Sequence, residues 1–164
     1  MTINEVIANL QLTPLAVEGG YFREIYRSGT AAAHGKCCGT CIYYLLDGPG
    51  QSAWHRVAAD EIWLYHAGTT AIQLLLFPDG HWEERHIGAE LAAGERPQSL
   101  IPAGVWQAAV LRRRTPAAWG LFGAAVFPGF EYADFMPGNG EELCRAYPDA
   151  AARMRELGLV QAKK

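Results

Sequence analysis

Long apolar runs, blocks of like charge and a spaced cysteine framework are all missing from this sequence. No segment reaches the roughly 18 consecutive apolar residues that a membrane-spanning helix needs, and no basic stretch followed by an apolar run opens the chain. A cytoplasmic location is the expectation. Lys and Arg number 14 against 17 Asp and Glu, a net charge of −3, and no basic run exceeds Arg112-Arg113-Arg114. That pattern carries neither a nucleic-acid footprint nor a polybasic membrane anchor, so nucleic acid and membrane are not expected partners. Of the four cysteines, Cys37, Cys38 and Cys41 crowd together and Cys144 stands apart, unlike the spaced pairs of a disulfide-stapled secreted domain. Reduced thiols are expected. Cys38-Gly39-Thr40-Cys41 has the spacing of redox and zinc sites. It lacks the strand-to-helix context of the former and the second Cys or His pair of the latter, so it is read as incidental. Repeats, low-complexity tracts and linkers are absent too, and one domain over 1–164 is expected.

What is present is an apolar chain full of turns. Half of the 164 residues are hydrophobic, yet 18 are Gly and 9 are Pro. Such a chain can bury a core, about 70% of its unfolded surface at this length, but it punctuates too often for a helical bundle. Thr2 and Glu5 stand in capping-box spacing before Ile3, Val6, Ile7 and Leu10, which predicts a short N-terminal helix. Short aromatic and β-branched runs then predict strands over 21–27, 41–46, 52–57, 61–67, 71–77, 82–87, 99–101, 106–111, 119–127 and 130–135. Pro78-Asp79-Gly80-His81 has hairpin-turn chemistry. With no helix-length segments between the strands, parallel crossovers are excluded and an antiparallel all-β sandwich or barrel is expected. Helical spacing returns from Glu141, breaks at Pro148 and resumes through Ala151, Met154 and Leu157, predicting helices that pack outside the barrel.

The residues able to do chemistry concentrate between Gly50 and Gly68. Strand alternation places Ala53, His55 and Val57 on one face and Ser52, Trp54 and Arg56 on the other. If the first set faces inward, His55 is an imidazole in a closed cavity, either as a site residue or as a hydrogen-bonded core group. Glu61 lies on an otherwise apolar strand. Its burial demands a partner, His55 or Arg23. Gln107 sits between Trp106 and Ala108 as a core amide or a pocket group. Tyr44, Trp63 and Tyr65 can stack on a ring-shaped ligand or simply fill the core. Arg23 can clamp a carboxylate or phosphate, or pair outward. His66 is an odd number of steps from Glu61 and points away from it unless a bulge intervenes. His34, His81 and His86 fall in loops or a hairpin and read as solvated.

Here the sequence resembles a known family. Gly50, His55, Glu61 and Gly68 match the spacing of the first cupin motif, and Gly94 with Pro102-Ala103-Gly104 and Gln107 matches the second. More narrowly, the chain resembles the cupin 5 family (formerly DUF985) of the RmlC-like cupin superfamily. The signatures are Glu18-Gly19-Gly20-Tyr21-Phe22-Arg23-Glu24, Ile42-Tyr43-Tyr44-Leu45-Leu46, Ser52-Ala53-Trp54-His55-Arg56, Asp60-Glu61-Ile62-Trp63 and Pro128-Gly129-Phe130-Glu131-Tyr132-Ala133-Asp134-Phe135. The resemblance implies a double-stranded β-helix, the cupin jelly roll, and a homodimer.

Two departures bear on chemistry. Metal-binding cupins usually carry a second His where this chain has Val57 and a third where it has Gln107, leaving His55, Glu61 and at most the Gln107 amide, fewer ligands than zinc or non-haem iron sites use. No cofactor is therefore expected. Many relatives also have His-Pro where Ala16-Val17 stands. The reading that follows is a small-molecule pocket, for a carbohydrate or nucleotide-sugar-like ligand, in a metal-independent isomerase or epimerase. His55 would be the base, Glu61 its orienting group, Tyr44 or Tyr65 a proton donor, and Arg23, Trp63, Gln107 and His66 would contact ligand. The alternatives are a binding module without catalysis and a metal-dependent oxygenase or lyase.

Overall fold

The computed structural model describes residues 1–32 and 35–160, so His34 lies outside the described residues. Thr2 and Glu5 form the expected reciprocal cap, with Glu5 N–H donating to the Thr2 hydroxyl at 3.3 Å and Thr2 N–H to the Glu5 carboxylate at 2.7 Å. Helix α1 spans Ile3–Leu10. Eleven strands follow: β1 (Thr13–Pro14), β2 (Tyr21–Arg27), β3 (Thr40–Asp47), β4 (Gln51–Val57), β5 (Asp60–Gly68), β6 (Ala71–Leu76), β7 (Trp82–Ile87), β8 (Gln98–Ile101), β9 (Trp106–Leu111), β10 (Trp119–Phe127) and β11 (Phe135–Pro137). The chain closes with α2 (Gly140–Ala146) and α3 (Pro148–Glu156).

The strands form a six-stranded sheet in the order β1-β2-β3-β10-β5-β8 and a five-stranded sheet in the order β11-β4-β9-β6-β7. From β3 to β6, and again from β7 to β11, each successive strand changes sheet. This is the antiparallel jelly roll. Phe77 and His81 close the β6–β7 hairpin, where Gly80 takes φ +95°.

Alternation along the strands sorts the apolar residues into layers. Between the sheets, Tyr44, Trp63, Leu75, Leu111 and Phe122 form the central core. On the far side of the five-stranded sheet, Ile72, Leu74 and Leu76 of β6 face Leu143, Met154 and Leu159 of the C-terminal segment. Strand β6 is thus buried on both faces. Each fully buried side chain of this kind stabilises the fold by about 1.5–3 kcal/mol. The Trp54 indole N–H donates to the Leu159 carbonyl at 3.0 Å, and Arg153 grips Glu84 through two bonds at 2.6 and 3.0 Å. On the opposite outer face, α1 covers Leu45 with Val6.

Two elements differ from the sequence expectation. Residues 130–135 are not a strand: Tyr132–Asp134 is a 3-10 turn and pairing resumes only at Phe135. The segment carries the chain from β10 in one sheet to β11 in the other, so it cannot stay paired with either. Phe130 and Phe135 are half-buried against the space between the sheets, while Tyr132 stays exposed. The second difference is a bulge in β4. Ser52 and His55 pair with Ala109 and Gln107, three positions matched to two. The extra residue turns Ser52 to the same inner face as His55 and Val57, where strict alternation had it outward.

Candidate functional site

One end of the space between the sheets is filled by the central core; the other holds a cavity of about 120 Å³. Its wall is mostly apolar, with Leu15, Phe22, Ile42, Val57, Val126, Phe130 and Phe135 among the lining residues. Set into it are the carboxylates of Glu18, Glu24, Glu61 and Glu131, the imidazole of His55 and the guanidinium of Arg27.

His55 is 2% exposed, and its ring stacks on Phe135 at 5.1 Å between centroids. Its Nδ1 lies 2.8 Å from the Ala53 carbonyl, a peptide exposed by the bulge. A carbonyl only accepts, so Nδ1 carries the proton and the lone pair of the neutral ring is on Nε2. Nε2 faces Glu18 across 3.9 Å. Glu18 is held from two sides: its backbone carbonyl accepts from Ala53 N–H at 2.8 Å and its side chain accepts from the Ser52 hydroxyl at 2.5 Å. The turn carrying it requires Gly19 at φ +104°, where a β-carbon would collide with the Gln51 carbonyl.

Glu61 closes the inner end. Its two oxygens accept from Trp63 Nε1 at 3.1 Å and from Gln107 Nε2 at 2.6 Å. The Gln107 oxygen accepts in turn from Gln73 Nε2 at 3.3 Å, the Gln73 oxygen from Ser99 at 2.8 Å, and the Ser99 oxygen from Arg85 at 3.1 Å. All donors therefore point from Arg85 toward Glu61. Burial pushes the Glu61 carboxyl above its ordinary range; the His55, Gln107 and Trp63 contacts act the other way and Glu18 adds to the rise. Desolvation dominates in so enclosed a position.

The sequence candidates divide. His55 and Glu61 line the cavity together. Tyr44 and Trp63 pack edge to face at 5.3 Å within the core. Tyr44 spends its proton on the Gly19 carbonyl at 3.0 Å, and burial drives its phenol well up. Gln107 touches the site only through Glu61. Three placements need correction: Arg23 is exposed and donates to the Leu10 carbonyl at 3.2 Å, Tyr65 donates to the Gly68 carbonyl at 2.8 Å, and His66 is exposed beside Tyr43. None of the three lines the cavity: alternation turns Arg23 of β2 and His66 of β5 outward, whereas Tyr65 shares the inner face with Glu61 and Trp63 but sits at the core-filled end, its ring 6.0 Å from that of Phe122. The cavity residues that sequence reasoning did not single out, Glu18, Glu24, Arg27, Phe130 and Phe135, come from segments whose side-chain directions depend on bulges and turns. Their signal was the clustering of Glu18 to Glu24 and Pro128 to Phe135 in signature segments.

The metal centre of other cupins does not fit this donor set. Val57 is apolar, and the amide oxygen of Gln107 is turned to Gln73 while its NH₂ group faces Glu61, the only orientation a carboxylate accepts. Among the described residues no three His, Cys, Asp or Glu side chains are grouped to hold an ion. No helix of the described residues is long and apolar enough to cross a membrane.

An uncharacterized protein of Saccharomyces cerevisiae is 30% identical over 159 residues, covering 85% of this chain and 78% of its own. Among solved structures, a Shewanella oneidensis protein has a TM-score of 0.88 at 33% identity with 99% of each chain covered. A hypothetical protein from Leishmania major has 0.84 at 27%, covering 96% of this chain and 98% of that one. Bacillus subtilis oxalate decarboxylase shares the fold alone, with a TM-score of 0.57 at 13% identity, 94% of this chain matching 38% of that one. The family model described as Cupin superfamily (DUF985) matches residues 4–137. With fold, motif spacing and family model in agreement over most of its length, the chain belongs to the Cupin_5 family.

Proposed function

We propose that this chain binds a molecule of about single-ring size between its sheets and moves a proton on it, as an isomerase or epimerase does, without a metal. The observation that carries this reading is the His55 ring, buried, with its tautomer set by Ala53 and its basic nitrogen open to the cavity. Nε2 would take a proton from an acidified carbon of the ligand. The imidazolium so formed lies next to the Glu18 carboxylate at 3.9 Å. The imidazolium would then return that proton at a second atom of the ligand, which leaves His55 neutral for the next turnover, while Glu61 closes the inner end of the cavity. An imidazole with its tautomer fixed and its free nitrogen in the cavity, beside a carboxylate that steadies the protonated ring, is an arrangement suited to general acid–base proton transfer. No oxidant or co-reactant enters the balance.

The volume favours a small ligand. Sites for drug-sized molecules run to about 300–1,000 Å³, so about 120 Å³ suits a monosaccharide-sized or smaller ring better than a nucleotide sugar. The test is solvent exchange: small cyclic ketones and hydroxyketones are incubated with the protein in deuterium oxide and followed by proton NMR. Loss of a carbon-bound proton, abolished by His55→Ala, is expected. Exchange that survives His55→Ala refutes the assigned base, and binding without exchange leaves a binding module only.

A further inference from the structure

We infer that the ligand of this cavity is a small organic cation, an ammonium or amidinium group joined to one apolar or aromatic ring. The inference rests on the small-molecule reading above and adds the charge. Arg27 is the only Lys or Arg among the described residues that line the cavity, and it is already spent. Its guanidinium pairs with Glu24 at 2.9 Å and Glu131 at 2.8 Å, so the mouth keeps one uncompensated negative charge. Deeper in, Glu18 has no Lys or Arg partner among the described residues; its side chain meets the Ser52 hydroxyl, the Tyr44 phenol and His55. Glu61 has amide and indole donors but no cation in contact.

A ligand anion would lie beside Glu18 and Glu61 with no free cation to receive it, a desolvated repulsion that excludes it. A ligand cation gains both carboxylates in a largely apolar enclosure, where charge interactions are stronger than in water. Nor is this an acidic cluster alone. His55, 2% exposed, has no hydrogen-bond partner on Nε2 among the described residues and aims that lone pair into the same space. The rings of Phe22, Phe130 and Phe135 line the remaining wall, and aromatic faces attract cations as carboxylates do. The volume of about 120 Å³ is close to the roughly 150 Å³ that accommodates benzene in an engineered apolar cavity of another protein.

Three probes of one shape and different charge test this: benzylammonium, benzyl alcohol and benzoate, each titrated into the full chain and followed by NMR shifts of the His55 ring and the amides of residues 18–24. Benzylammonium should bind about tenfold or more tighter than benzyl alcohol, with benzoate weakest. Glu18→Gln should cut the ammonium advantage by about tenfold while leaving benzyl alcohol unchanged. If that variant does not fold, Glu131→Gln at the mouth should cut it in the same direction. Equal or tighter binding of the alcohol or benzoate in the cavity overturns the cation and leaves the small-molecule reading standing, as does an advantage that neither variant reduces. Silence of the cavity resonances with all three probes overturns both.

Discussion

Replacing Gln107 by Leu isolates what the buried amide chain does for Glu61. The side chains are similar in size, so the change removes hydrogen bonds rather than volume. Lost with it are the 2.6 Å donation to Glu61 Oε2 and the acceptor of Gln73 Nε2 at 3.3 Å. A hydrogen bond to an ionised group contributes about 1.5–3 kcal/mol, and a stranded buried donor costs about 1–3 kcal/mol. Gln107→Leu should therefore lower stability by about 3 kcal/mol near neutral pH, with Tm falling by about 6–12 °C at this chain length. The penalty depends on pH in a direction that can be worked out. Burial raises the Glu61 carboxyl in the folded state; the unfolded group sits near about 4.3. Its contribution is therefore full below the unfolded value and declines as pH rises toward the folded one. Removing a donor to the anion raises the folded value further, so the variant loses more on going from acid to neutral pH. Below both values the bond is to a neutral carboxyl and is worth only about 1 kcal/mol. Urea unfolding of wild type and variant, at about pH 4 and about pH 7, reads this directly. The loss should be larger by about 1 kcal/mol at the higher pH. A loss that is the same at both pH values, or under about 0.5 kcal/mol at neutral pH, would show that Gln107 is not what holds the carboxylate.

Gly19→Ala should destabilise by about 1–3 kcal/mol in urea unfolding, because φ +104° and the Gln51 carbonyl leave no room for a β-carbon; an unchanged midpoint would mean that the Glu18 turn relaxes freely. Arg27→Ala removes exposed ion pairs to Glu24 and Glu131 and the donation to the Phe130 carbonyl, so global stability should move by less than about 1 kcal/mol. Hydrogen exchange at residues 129–134 should nonetheless quicken by about tenfold, since local opening is governed by local contacts. Unaltered exchange there would show that Arg27 does not pin the segment over the cavity.

Much of the fold is legible from local rules. Strands β2, β7, β9 and β10 fall where alternation and turn residues put them, and the Thr2 cap follows from residue type and spacing alone. The site was legible only at His55 and Glu61. Arg23 and His66 carry suitable chemistry on the outer face and Tyr65 on the inner face but at the core-filled end, whereas Glu18 and Phe135 reach the cavity from a turn and a crossing segment that no strand periodicity describes. Ser52 makes the point most sharply. One extra residue in β4 reverses its direction, and that residue is set by pairing with β9, some 55 positions away in the chain.

The sequence by itself determined an all-β chain with helical ends, an imidazole at position 55, a carboxylate at 61, and Val57 and Gln107 where other cupins place metal ligands. The all-β pattern and the helical ends follow from residue identity and short-range periodicity, which act over a turn or a strand, whereas the meaning of Val57 and Gln107 comes from the resemblance to the cupin motifs. Only the tertiary structure decided that Glu18 faces His55, that Gln107 turns its NH₂ group to Glu61, and that Arg27 is consumed by two glutamates. Each depends on register, bulges and the crossing of the chain between sheets, where the energy of burying a polar group is settled by partners distant in sequence.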